Sequence, residues 1–278
     1  MNIRTLIAAS PGWRTRFAPA PTGWLHLGHV VNAVYVWGIA RAHDGCVVLR
    51  IEDHDTSRCR AEFTRGIFDD LEWLGLVPDE VAPAQSERAS RYAAALAHIN
   101  ARAPGAVYPC ACSRRDLAQV AGDVFNEETR YSGTCRTRNI DPTSTPARRV
   151  VMADGEGDVL VRDRDGQWTY QFAVVVDDID QRIGVVIRGE DLLTSTARQI
   201  QLACMLGRDT PPQFLHHPLV LHDDGSKLSK SNRDTGIRDL RAEGWSAARV
   251  LGEAARLGGV QRDSSPIEAG ALARLFRE

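Results

Sequence analysis

The run Cys46 to Ile51, apolar except for Arg50, limits the fold more than any other feature of the chain. A strand this apolar belongs in a sheet covered on both faces, and such sheets are parallel and built from α/β units. The run opens after the turn signal Asp44-Gly45. Before it lies the most apolar stretch of the sequence, Val30 to Ala40, interrupted by Asn32, which the pattern places in a helix from about Gly28 to Ala42. Trp13 to Ala18 reads as a short strand, ended by Pro19, Pro21 and Gly23. Helical patterns follow at Ala61 to Leu74 and Arg88 to Ala103. Strand, helix, strand and helix in this order predict parallel strands joined by right-handed crossovers.

Residues from about Tyr108 to Ala147 break that alternation and read as a small inserted domain. Strand-like runs return at Asp158 to Val161, Thr169 to Val176 and Ile183 to Ile187. A helix from about Ser195 to Leu206 follows, and then an apolar strand, Pro218 to Leu221, that ends in the loop Asp223-Asp224-Gly225. The tail from Gly236 reads as short helices with Trp245, Val250 and Leu251 on a core face. The expected division is 1–107 for the first half of a Rossmann-like α/β domain, 108–147 for the insertion, 148–235 for the second half, and 236–278 for a helical tail.

The formal net charge of -2 excludes a global basic field, so any nucleic-acid binding rests on a local patch. Arg114, Arg115, Arg136, Arg138, Arg148 and Arg149 are available for one. No apolar run approaches the roughly 20 residues of a membrane span. The apolar patch Leu6 to Ala9 is too short for a secretory signal, so the expected location is cytoplasmic, with no membrane contact. Of six cysteines, three cluster as Cys110-Ala-Cys112 and Cys135. Without a secretory signal such a cluster points to a metal before it points to disulfides. Three thiolates and the oxygen of Tyr131, with water or a histidine as the alternative fourth ligand, suit a tetrahedral zinc ion.

Two segments are candidates for nucleotide chemistry; taken singly, the first also reads as a capped loop with surface histidines and the second as a solvated basic loop. In Arg16-Phe-Ala-Pro-Ala-Pro-Thr-Gly-Trp-Leu-His-Leu-Gly-His29, two prolines and a glycine set a loop between strand and helix. His26 and His29 stand at the helix entrance, where imidazole donors and the helix N-terminus together favour phosphate. Gly28 between them carries no side chain to block a planar ring. In Lys227-Leu-Ser-Lys-Ser231, two ammonium groups three residues apart can follow charge developing on a transferring phosphoryl group.

Taken together, these segments resemble the "HIGH" and "KMSKS" signatures of class I aminoacyl-tRNA synthetases. The resemblance implies that His26, Gly28, His29 and Lys230 bind ATP, used with Mg2+, and that His26, His29, Lys227 and Lys230 act in catalysis. The flanking Arg16-Phe17-Ala18-Pro19, Arg50-Ile-Glu-Asp-His-Asp55, Trp168-Thr-Tyr-Gln-Phe-Ala173 and Arg188-Gly-Glu-Asp191 look like the glutamyl/glutaminyl branch. A dicarboxylate substrate wants bidentate guanidinium partners, so Arg16 and Arg188 are candidates for the carboxylates of L-glutamate, Glu52 for its ammonium and Tyr170 for a hydroxyl contact. Phe17, Ala18, Pro19 and Ala20 complete the implied glutamate loop. Ala20 stands where that branch usually has serine, which removes one hydroxyl contact. Leu228 replaces the methionine of the lysine loop, an apolar exchange of small consequence.

The arrangement Tyr108-Pro-Cys-Ala-Cys-Ser-Arg with Tyr131-Ser-Gly-Thr-Cys-Arg136 is most similar to glutamyl-queuosine tRNA(Asp) synthetases, a subfamily without the anticodon-binding region. From that resemblance come the expectations of one structural zinc on Cys110, Cys112, Tyr131 and Cys135, of tRNA(Asp) bearing queuosine as partner, and of a monomer. Only 47 residues follow Ser231, which fits the short subfamily. A truncated glutamyl-tRNA synthetase charging a tRNA 3′ end and a non-catalytic tRNA-binding paralogue are the alternatives.

Overall fold

Val47, Val48 and Leu49 are at most 1% exposed, and removing each of these side chains from water is worth about 1.5–3 kcal/mol. They form the middle of a parallel sheet. The computed structural model describes residues 12–113, 116, 130–131, 133–153, 155–220 and 236–277. Its strands are β1 (Arg14–Phe17), β2 (Cys46–Leu49), β3 (Glu80–Val81), β4 (Val107–Pro109), β5 (Arg148–Val150), β6 (Val159–Arg162), β7 (Val185–Gly189) and β8 (Gln213–His217). Its helices are α1 (Leu27–Ala42), α2 (Ala61–Leu74), α3 (Ala89–Arg102), α4 (Tyr170–Asp180), α5 (Thr196–Met205), α6 (Ile237–Ala242) and α7 (Ala247–Leu257).

The chain divides into two units. The first holds Met1–Ala84, Arg182–Leu193 and Pro212–Glu278. In it β1, β2 and β3 pair in parallel in that order, with Phe17 opposite Leu49. β7 and β8 also pair in parallel. A bond from the Gly184 N–H to the Arg14 carbonyl, 2.9 Å long, sets the start of β7 beside β1. α1 buries Val30, Val31, Val34, Val36, Trp37 and Ile39, residues that do not share one narrow stripe, as befits a helix covered on more than one side. Phe17 meets the Trp37 ring edge-on at 5.3 Å between centroids. Val250, Leu251, Leu272 and Phe276 from the tail join the same core.

The second unit holds Gln85–Gln181 and Thr194–Pro211. β4, β5 and β6 form an antiparallel sheet, Arg149 lying opposite both Tyr108 and Leu160. Its core gathers Tyr92, Ile99, Val161, Phe172, Val174 and Leu202. Among the described residues no helix is long and apolar enough to cross a membrane.

Two elements differ from the sequence expectation. Thr169 to Val176, read as a strand, is the extended N-cap Thr169 followed by α4. Phe172 to Val176 are all buried, and an apolar run of that length has no periodicity to separate a strand from a helix covered on all sides. The strand expected at Pro218 to Leu221 lies earlier, at Gln213–His217. Pro218 has no N–H for a ladder, while His216 and His217 mask the strand character of the residues before it. Leu221 falls outside the described residues.

Candidate functional site

The loop after β1 delivers the first histidine in an extended conformation (φ -129°, ψ 173°), which makes His26 the N-cap of α1. Its Nδ1 accepts the Gly28 N–H at 3.1 Å, and the His29 Nδ1 accepts the His26 N–H at 3.1 Å. The rings lie 3.9 Å apart between centroids. Because each Nδ1 accepts a backbone proton, each neutral ring carries its own proton on Nε2. The result is a pair of Nε2–H donors at the start of a helix of 16 residues, where the backbone dipoles also favour an anion. Gly28 serves this pair more closely than its place in the motif suggests. A Cβ there would stand 3.0 Å from Cε1 of His26, so the missing side chain makes room for the His26 ring itself.

Arg16 and Arg188 sit near the C-terminal ends of the adjoining strands β1 and β7, the end at which open α/β sheets bind ligands. They are only 4% and 3% exposed. Arg16 Nη1 donates to the Ile187 carbonyl at 3.1 Å. Arg188 Nη2 donates to the Leu192 carbonyl at 3.0 Å, and its Nε to His216 Nε2 at 3.2 Å. Burial, and then the Arg188 charge beside it, push the His216 pKa down, which keeps that imidazole a neutral acceptor. Phe214 lies under the same guanidinium, 5.0 Å from its centre. Glu52 is 6% exposed and is paired with the fully buried Arg50 at 2.9 Å. Its N–H bonds to the Pro19 carbonyl, which ties the loop containing Ala18, Pro19 and Ala20 to the end of β2.

Arg50, named from sequence only as part of a branch motif, and His216 were given no site role there. Arg50 had a signal, a charge inside an otherwise apolar strand. His216 had none, since its pairing with Arg188 spans 28 positions. Tyr170, the remaining expected glutamate contact, belongs to the second unit, where it opens α4 half-buried. Lys227 and Lys230 lie outside the described residues.

The second unit brings Cys110, Cys112 and Cys135 together, their sulfurs all within 4.8 Å of one another. Cys112 and Cys135 are 3.4 Å apart, and the Tyr131 hydroxyl is 3.3 Å from Cys112 Sγ and 3.9 Å from Cys110 Sγ. Four ligands at ordinary zinc bond lengths would stand roughly 3.3–3.8 Å from each other, so the donor set fits a tetrahedral zinc ion. Burial raises the pKa of the Cys112 thiol. At Cys135 burial acts the same way, but bonds from the Tyr131 hydroxyl, the Ala111 N–H and the neighbouring thiols outweigh it and favour the thiolate. Arg149 supplies positive charge: its Nε donates to Cys110 Sγ at 3.3 Å, and its guanidinium lies 3.8 Å over the Tyr131 ring. Arg114 and Arg115 lie outside the described residues. Arg136 is tied to the buried Asp158, while Arg138 is exposed.

Comparison with known proteins agrees with this geometry. The family model for the catalytic domain of class I tRNA synthetases (E and Q) matches residues 13–148 and 144–267. A Glutamyl-Q tRNA(Asp) synthetase of Nitratidesulfovibrio vulgaris is 39% identical, over 91% of this chain and 88% of its own length. A Glutamate--tRNA ligase of Leptothrix cholodnii is 38% identical, over 95% of this chain and 61% of its own. The crystal structure of a glutamate tRNA ligase from Elizabethkingia meningosepticum, in complex with its amino acid, superposes with a TM-score of 0.77 at 28% identity. That match covers 96% of this chain and 64% of the ligase chain. The chain is thus a ligase of the class I aminoacyl-tRNA synthetases, and it belongs to their glutamate and glutamine (E and Q) catalytic-domain family.

Proposed function

We propose that the chain activates glutamate with ATP, without needing tRNA for that step, and transfers it to the queuosine base at the wobble position of tRNA(Asp). The observation that supports this reading best is the match, over most of both lengths, to curated relatives named for that activity. In this reading the Nε2–H groups of His26 and His29 hold ATP phosphates. Arg16 and Arg188 take the glutamate carboxylates, Glu52 its ammonium, and Tyr170 a further polar contact. The α-carboxylate of glutamate attacks the α-phosphorus, the bond to pyrophosphate breaks, and Lys230 meets the charge that develops on the leaving group. A hydroxyl of the modified base then attacks the glutamyl carbonyl, and AMP leaves.

The acceptor is tested by acylation of tRNA(Asp) with and without queuosine, and with and without the 3′-terminal adenosine. Loss of queuosine is expected to abolish transfer, and loss of the adenosine to leave it intact. The opposite pattern would assign the chain to ordinary 3′-end charging.

The thiol cluster is proposed to hold one structural zinc ion through Cys110, Cys112, Cys135 and the Tyr131 oxygen. Cys135→Ser is expected to release zinc and to loosen the second unit, as metal analysis and limited proteolysis would record. The rate of ATP–pyrophosphate exchange should fall far less than it does on loss of Lys230. Parent protein purified without chelator and free of zinc would overturn the assignment.

A further inference from the structure

Trp24 stands two residues before His26, and the family signature does not account for it. Its ring meets Phe63 of α2 edge-on, 4.9 Å between centroids at 89°. Gly66, one turn further along α2, leaves room for the ring: a Cβ there would fall 2.4 Å from the ring atom Cζ3. The third contact comes from far along the chain. The guanidinium of Arg238 lies 4.0 Å from the centre of the Trp24 ring.

The backbone beside this contact is joined as well. His26 and Gly236 form an isolated antiparallel bridge, and the Ile237 N–H bonds to the Leu25 carbonyl at 2.9 Å. Asp239 caps the turn by accepting the Gly236 N–H at 3.0 Å. Leu25 and Ile237 are 2% and 0% exposed. The segment 24–26 is thereby held between α2 and the start of α6. Arg238 itself is exposed. It borders two open clefts of about 460 and 280 Å3, the larger lined also by Gly66, Asp69, Asp70, Arg241 and Ala242. Shortening Arg238 therefore opens no buried cavity, and its contact with Trp24 can be removed with little cost to the core.

We propose that Trp24 and Arg238 are positioning residues for the nucleotide site, a latch that holds the histidine pair in the orientation ATP requires. The inference rests on the reading of His26 and His29 as phosphate donors. Neither latch residue touches ATP in this account. Each acts by keeping the segment that carries His26 in one arrangement, so its loss lowers the fraction of molecules competent to bind.

The test is direct titration of MgATP, without glutamate or tRNA, so that it does not depend on any later step. Arg238→Met is expected to weaken binding about three- to fivefold, the factor an exposed cation–π contact corresponds to. Arg238→Lys, which keeps a cation over the ring, should stay within about twofold of the parent. Trp24→Leu should weaken binding by about five- to tenfold, and adding Arg238→Met to it should cost nothing more, because the contact is already gone. The thermal midpoint of Arg238→Met should lie within about 2 °C of the parent. Equal affinity of Arg238→Met and parent would overturn the latch, as would a lysine variant no better than methionine, or losses that simply add. Those results would leave the nucleotide reading standing. A parent chain that binds no MgATP would overturn both.

Discussion

Replacing Lys230 by alanine is expected to slow glutamate-dependent ATP–pyrophosphate exchange about 100- to 1000-fold, with the KM for glutamate changed less than about twofold. The leaving pyrophosphate gains charge only as the bond to the α-phosphorus breaks. An ammonium group aimed at that charge therefore stabilises the transition state more than the bound substrates. Removing one such preorganised donor typically costs about 3–4 kcal/mol. The glutamate contacts proposed for Arg16, Glu52 and Arg188 come from strand ends, and Arg16 and Arg188 are anchored to backbone carbonyls, so they should survive the substitution. An unchanged exchange rate would remove Lys230 from the chemistry. A rate loss matched by a large rise in the glutamate KM would indicate a disturbed binding site instead.

Asp177→Ala is expected to destabilise the second unit by about 3–5 kcal/mol, read from the shift of its urea transition. Asp177 is fully buried in α4 and accepts bonds from Gln85 Nε2 at 2.7 Å, Arg88 Nε at 2.7 Å and the Tyr92 hydroxyl at 3.0 Å. Alanine removes the carboxylate that accepts these three bonds, at a cost to the groups that donate them. Arg88 keeps its second partner, Asp180, at 2.5 Å, which holds the loss toward the lower part of the range. Asp177→Asn retains an acceptor oxygen and should cost less than half as much. An alanine variant that unfolds at the parent's urea concentration would show that the cluster contributes nothing net.

The histidine motif was legible as a unit because it is local. His26, Gly28 and His29 lie within one helical turn, and their mutual hydrogen bonds need only the backbone of that turn. The three clustered cysteines were legible for a related reason, since Cys110 and Cys112 are two apart and Cys135 follows 23 positions later, and their sulfurs lie within 4.8 Å of one another. Less local features were not. The apolar run Phe172 to Val176 supports strand and helix equally, and it is the burial of all its faces in the second unit that makes it part of α4. Trp24 was given no role from sequence, and its partner Arg238 lies more than 200 residues away.

The sequence by itself determined the parallel α/β class, through the apolar strand at Cys46 and the helices around it. It determined the two signature segments and the cysteine spacing as well, since all of these are set by residue type within a few positions. The tertiary structure decided which charges are buried together. Asp177 meets Gln85, Arg88 and Tyr92 across 85 to 92 positions, and Arg188 meets His216 across 28. An aspartate or an arginine in a sequence is compatible with a solvated surface or a paired interior. Only the packing of the elements around it removes the water and so requires the partner.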